Sequence, residues 1–300
     1  MLLALCMDQT AYELVKALNW PSFVPIALDD LLTPEIASVR QRTSHGQFCW
    51  VCQPLICEYI LEKYGADMVT YLESDSMFFS DPEVLFDEMQ DKSVTLVPHN
   101  YSPNLDNSET AGTYCVQFNA FRNSAAAREV LRYWKEWCFK YDKSAPVAYP
   151  GQTCLDDWPD RFDCVAIIEN PGAGVAPWNV NGRTFRSEAY GPSVDGRPVV
   201  FFHYHQYGRF KNGDHELGRY PLNADVLDIF YIPYVSALRK AESQVASVDS
   251  AFSHRREFPD TPTLLGALQS MNLRKIMELV RVMGRRWRGR FNVFPDSRFD

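Results

Sequence analysis

Apolar residues in this chain fall into two alternating rhythms. Short solid runs at 2–7, 23–28, 69–72 and 94–98 have the length and the β-branched, aliphatic composition of buried strands. Between them the apolar positions open out to three- and four-residue steps. Asp8 stands as N-cap before a helix over Gln9–Leu18, a short helix is expected over Pro34–Arg42, and Pro54 opens a clearer one through Leu55, Ile56, Tyr59, Ile60 and Leu61. A further helix runs through Val84, Leu85 and Phe86.

This βαβα order predicts the α/β class: one Rossmann-like, mostly parallel central sheet flanked by helices. The pattern continues with a strand at 114–121, an amphipathic helix at 125–139 and a short helix at 152–158. A last strand at 199–205 carries His203 and His205, which an extended chain places on one face. No linker or internal repeat interrupts residues 1–235, so they read as one domain, with 236–300 as a helical C-terminal region.

Composition adds constraints. With 300 residues and 46% hydrophobic content, the chain is large enough for one sizeable core. Net charge is −8, unevenly placed: residues 271–300 hold 8 Lys/Arg against 3 acids, leaving 22 against 35 in the rest. The acidic body argues against nucleic acid as a partner. In the basic tail, Leu273, Ile276, Met277, Val280, Met283 and Trp287 recur at helical spacing among arginines. That predicts a basic amphipathic helix at about 271–290, suited either to an anionic membrane surface or to docking on the body.

Eight cysteines lie mostly in apolar segments and read as reduced core thiols. Cys49 and Cys52 have zinc or redox spacing, but no second pair follows at a usable distance, so the core reading is preferred. The run at 2–7 is too short for a signal peptide or a spanning helix. The expected location is therefore cytoplasmic, with the tail offering attachment to the inner face of the membrane.

The chemistry concentrates at Glu73-Ser74-Asp75, directly after the apolar run 69–72. Residues two apart in extended chain share a face, so both carboxylates can reach one ion; hard oxygen ligands of this kind suit Mn²⁺ or Mg²⁺. Trp178 and Asn179 offer an aromatic face and an amide to a sugar, or equally a buried loop anchor.

Several blocks, taken in order, carry a resemblance: Asp67-Met-Val-Thr-Tyr-Leu-Glu-Ser-Asp75 with Phe78-Phe-Ser-Asp-Pro82; Tyr114-Cys-Val-Gln-Phe-Asn-Ala-Phe121; Gln152-Thr-Cys-Leu-Asp-Asp-Trp-Pro159; Asn170-Pro-Gly172 with Ala176-Pro-Trp-Asn179; and Phe202-His-Tyr-His205. From about Cys6 to about Tyr234 the chain resembles bacterial nucleotide-diphospho-sugar transferases of GT-A fold, related to the glycogenin and lipopolysaccharide galactosyltransferase group.

That resemblance implies a metal-dependent glycosyltransferase. It would use a nucleotide-diphosphate sugar, UDP-sugars foremost, and a glycan or lipid-linked acceptor. Asp75 would be the main metal ligand and Glu73 the second acid. A late histidine would add a ligand: His205 by an H-x-x-G-x-x-K pattern ending at Lys211, or His203 by alignment with closer relatives. Lys211 and Arg209 would face the diphosphate, with Arg40 and Arg42 in a segment used near it. Cys115, Gln117 and Asn119 fall in a block that lines the sugar end.

Retention implies Gln152 near the anomeric carbon, whereas inversion needs a base, for which Asp156 and Asp157 are on offer. The pattern also departs from the family: Glu73 stands for an Asp, Cys115-Val-Gln117 for Asn-Val-Gly, and Gly151 for an Asp, while Met1 aligns with the second strand rather than the first. These departures keep a second expectation open, a nucleotide-sugar or glycan-binding protein of the same fold without catalysis.

Overall fold

The structure, a computed structural model, describes residues 1–142, 150–210, 213–252 and 292–299. Lys211 and the expected amphipathic helix at 271–290 lie outside the described residues. Strand β1 (Leu2–Cys6), helix α1 (Gln9–Leu18) and strand β2 (Phe23–Ala27) form a unit in which β1 and β2 pair in parallel. Asp8 caps α1 by accepting from the Ala11 N–H at 2.8 Å, as its position predicts. Thr33 caps α2 (Pro34–Arg42) in the same way, with Pro34 in the first turn.

Helix α3 (His45–Lys63) starts well before Pro54, contrary to expectation. Ser44 and Gln47 form a reciprocal capping box that fixes the start, and Pro54 lies inside the helix. The proline cannot donate to the Trp50 carbonyl one turn earlier.

The chain then runs through β3 (Met68–Leu72), β4 (Ser76–Phe78), α4 (Glu83–Met89), β5 (Val94–Pro98) and the single turn α5 (Ser108–Ala111). Next come β6 (Tyr114–Cys115), β7 (Phe118–Arg122) and α6 (Ala125–Cys138). From the end of α6, Cys138 Sγ donates to the Trp50 carbonyl at 3.7 Å. A core thiol thus offsets part of what Pro54 removes from the helix.

After α7 (Pro150–Thr153) and α8 (Trp158–Arg161), β8 (Val165–Ile167) completes a five-stranded sheet. The α/β class holds, and its parallel character lies in direction: β3, β5 and β8 point the same way, while β7 runs antiparallel between β3 and β5. The strand expected at 114–121 is broken at Val116 and Gln117. Phe121 pairs with Val94 and Cys115 with Val97, so the residues between form a bulge.

The second half adds the antiparallel β9 (Phe185–Glu188), β10 (Gly191–Val194) and β11 (Arg197–Pro198). Strand β12 (Phe201–His203) pairs with β4 and sets His203 opposite Ser76. Strands β13 (Tyr207–Arg209) and β14 (His215–Leu217) are joined by β15 (Val293–Phe294) from the chain end. Between them in sequence lie α9 (Ala224–Val226) and α10 (Ile232–Val248).

The expected boundary at 235 therefore falls inside α10, and Phe299 returns to the body to pack beside the His215 ring. One core cluster lies under α3 and α6 around Trp134 and Trp158; a second gathers Phe202, Tyr204, Phe230 and Tyr231. No helix among the described residues is long and apolar enough to cross a membrane.

Candidate functional site

Asp75 sits just past the carboxyl end of β3, where open α/β sheets bind ligands. The β4–β12 pairing brings β12 alongside it: the Tyr204 N–H donates to the Asp75 carbonyl at 2.7 Å. Alternation in Phe202-His-Tyr-His205 sends Phe202 and Tyr204 into the second core, Tyr204 stacking on Tyr234 at 3.6 Å, and leaves both histidines on the other face. Oδ1 of Asp75 lies 3.0 Å from Nε2 of His203. Ligand-type atoms of Asp75, His203 and His205 all fall within 4.8 Å of one another.

The electrostatics suit a cation. Burial pushes the Asp75 carboxyl up, but the His203 hydrogen bond and the charges of His203 and His205 outweigh it and hold the group below its usual value. Burial, reinforced by His203, pushes His205 down to about 4 against the pull of Asp75, so its imidazole is neutral with a free lone pair at neutral pH. One carboxylate oxygen and two imidazole nitrogens form a donor set that fits a divalent transition ion such as Mn²⁺ better than Mg²⁺, which prefers oxygen.

No family model matches the chain. It is similar to two proteins of Bacillus subtilis (strain 168). The uncharacterized protein YfnD is 25% identical over 272 residues, covering 87% of this chain and 88% of its own. The uncharacterized protein YfnF is 27% identical over 215 residues, covering 68% and 71%. Among solved structures, that of the galactosyltransferase LgtC in complex with donor and acceptor sugar analogs is similar over 82% of this chain and 84% of its own, at 13% identity and TM-score 0.45. Likeness of that size says nothing about chemistry, which rests on the residues themselves.

The structure does not bring Glu73 into the cluster. Its Oε1 accepts from Gln53 Nε2 at 2.9 Å and from the Tyr71 hydroxyl at 3.1 Å, and burial pushes its carboxyl up to about 7, with Asp75 adding to the rise and His203 opposing it. Cys115 lies buried under the site beside Ala176 and Trp178, its thiol pushed well above the usual range by burial and by Glu73 and Asp75. Gln117 Oε1 is 3.1 Å from His203 Nδ1. Asn119 is fully buried and donates to the Thr95 carbonyl, which makes it a core residue rather than a ligand contact.

Trp178 and Asn179 take the loop-anchoring role. Trp178 Nε1 donates to the His99 carbonyl at 2.8 Å, and Asn179 bonds His99, Gly174 and Ala176 backbone atoms. Trp178 nevertheless backs the cluster edge-on, with ring centroids 5.2 Å from His203 and 5.4 Å from His205.

The residues expected to act on sugar or acceptor are engaged elsewhere. Gln152 accepts from the Val116 N–H and donates to the Ala111 carbonyl. Asp156 accepts from the Thr113 and Tyr114 amides, while Asp157 is exposed and accepts from the Tyr133 hydroxyl. Arg209 pairs with Glu242 at 2.5 Å and with Asp296 at 3.4 Å, its side chain 9% exposed; this network leaves it facing α10 and the chain end rather than a diphosphate. Arg42 donates to the Phe139 carbonyl and ties α2 to α6. Arg40 is exposed in a different place, a cleft of about 230 Å³ at the carboxyl ends of β1 and β2, lined also by Asp8 and Asp29.

Sequence reasoning missed several site residues. Gln53 and Tyr71 hold Glu73, and only the fold brings α3 over β3. His99, 3% exposed, stacks on Tyr101 at 4.6 Å and leaves its Nδ1 unpartnered. Tyr220 faces Trp178 and His205 from the far side. Tyr101 and Tyr220 follow no motif, and the sequence held no signal for them.

Proposed function

We propose that this protein is a divalent-cation-dependent glycosyltransferase. Its donor would be a nucleoside-diphosphate sugar, a UDP-sugar first, and its acceptor a glycan or lipid-linked glycan. The observation that carries this reading is the convergence of Asp75, His203 and His205 at the carboxyl end of β3. Asp75, His203 and His205 would hold such an ion and leave part of its coordination to phosphate oxygens and water. An ion held there would neutralise charge developing on the departing diphosphate.

The chain's own residues supply the rest. Asp75 and His205 present acceptor atoms, Trp178 and Cys115 close the floor against water, and Tyr101 and Tyr220 frame an aromatic rim suited to the apolar face of a sugar. Retention of configuration, which needs no strong base, fits the engagement of Asp156 with the Thr113 and Tyr114 amides, while an inverting reaction would draw on Asp157, which is exposed and accepts from Tyr133.

The engaged Gln152 amide favours a second reading, a binding protein that recognises nucleotide sugars without turnover. Nucleoside diphosphate release from UDP-, GDP- and dTDP-sugars with Mn²⁺ separates the two. Turnover of one donor, abolished by Asp75→Ala, supports the transferase; saturable binding of a donor with no release, even with glycan acceptors added, supports the binding protein.

A further inference from the structure

His203 is the histidine whose two ring nitrogens are both committed. Nε2 faces Asp75 Oδ1 at 3.0 Å and Nδ1 faces Gln117 Oε1 at 3.1 Å. Its ring is 5% exposed and wedged edge-on between Trp178 and His205, with interplanar angles of 85° and 82°, so it has one orientation. No hydrogen bond to the His205 ring is found among the described residues.

Gln117 is itself enclosed by packing, although its Nε2 has no hydrogen-bond partner among the described residues. It is fully buried, and the bulge at Val116 and Gln117 turns it towards β12. Gly174, at φ 64°, makes room for it: a Cβ at that position would lie 2.3 Å from Gln117 Nε2. A glutamine built so tightly behind an imidazole is a scaffold for that ring. Resting on the cation reading of the site, we propose that Gln117 is a positioning residue that accepts the proton of His203 Nδ1 and thereby delivers Nε2 to the cation. A ligating histidine must keep its lone pair on the metal side, and an acceptor behind the other nitrogen sets that tautomer. Gln117 then acts behind His203 rather than on the sugar, and His203 is the pre-set histidine of the pair.

The test uses the full-length protein and two variants. Gln117→Met keeps the length of the side chain without an acceptor; Gln117→Glu keeps an acceptor and guards against simple misfolding. Nitrogen-15 shifts of the His203 ring at pH 8 with Zn²⁺ bound as a diamagnetic stand-in report the tautomer once Nε2 has exchanged its Asp75 hydrogen bond for the ion, and Mn²⁺ titration followed by electron paramagnetic resonance reports affinity.

The wild-type protein and Gln117→Glu are expected to show the Nδ1–H form and comparable Mn²⁺ affinity. Gln117→Met is expected to lose that form and about 10–100-fold in affinity, the usual effect of removing such a partner. An Nε2–H ring in the Zn²⁺-bound wild-type protein, or Gln117→Met binding Mn²⁺ like wild type with the ring unchanged, overturns the proposal. Failure of the wild-type protein to bind either Mn²⁺ or Zn²⁺ overturns the cation reading and the proposal with it, whereas binding that Gln117→Met leaves unchanged overturns the proposal alone.

Discussion

The Asp75 carboxylate meets the His203 imidazole at 3.0 Å, Oδ1 to Nε2, because β12 pairs with β4 in a register that sets His203 opposite Ser76. Glu73, two residues earlier, is held apart from this contact by Gln53 and Tyr71. Glu73→Gln is therefore expected to leave Mn²⁺ affinity within about threefold of wild type, since each tenfold change needs about 1.4 kcal/mol at the ion. Calorimetric titration of the two proteins checks it; a loss of tenfold or more would return Glu73 to the ligand set.

Glu73 also carries a pH signature. Its carboxyl is raised from 4.5 to about 7, chiefly by burial, so the folded state holds the proton more tightly than the unfolded chain. The sign follows: the contribution is intact below pH 4.5 and is lost as pH rises through about 7. Urea melts without metal should show a loss of about 2–3 kcal/mol between pH 5 and 8 from this group, and Glu73→Gln should flatten that slope. Parallel slopes in the two proteins would count against the buried protonated carboxyl.

Asp296 ties the chain end to the body through His215 at 2.8 Å and Arg239 at 2.7 Å. Its carboxyl is held down at about 2, first by the Arg239 and His215 hydrogen bonds, so its stabilisation is full above pH 3.8 and fades as pH falls through about 2. Because the side chain is 43% exposed, solvent screening limits Asp296→Ala to about 1 kcal/mol at neutral pH. Thermal melts at pH 7 and pH 2.5 should differ between the two proteins more at the higher pH.

Gly174→Ala places a methyl group against Gln117 at a left-handed backbone position. The expected cost is about 2–4 kcal/mol from strain and crowding together, with a parallel drop in Mn²⁺ affinity as Gln117 is displaced. An alanine variant as stable as wild type would show that the pocket behind Gln117 is looser than the structure describes.

Elements with strong local signals were legible in the sequence. Asp8 marks the start of α1, and the apolar runs of β1, β2 and β5 lie where the pattern puts them. Pro54 misled because proline normally opens a helix, whereas the Ser44–Gln47 box starts α3 earlier and Cys138 offsets the lost donor. The bulge at Val116 and Gln117 depends on pairing with β5, which no local pattern encodes. Asp75, His203 and His205 were visible as residue types at strand ends; the engagement of Arg209, Gln152 and Asp156 was not, because their partners come from distant elements.

The most direct test of the cation site is Mn²⁺ titration of the wild-type protein and of Asp75→Asn, followed by electron paramagnetic resonance with and without UDP. Asp75 is 37% exposed, so the variant should fold. Saturable binding of one ion by wild type, strengthened by UDP and weakened at least tenfold in Asp75→Asn, is the expected result. Equal Mn²⁺ affinity in the two proteins would contradict the site.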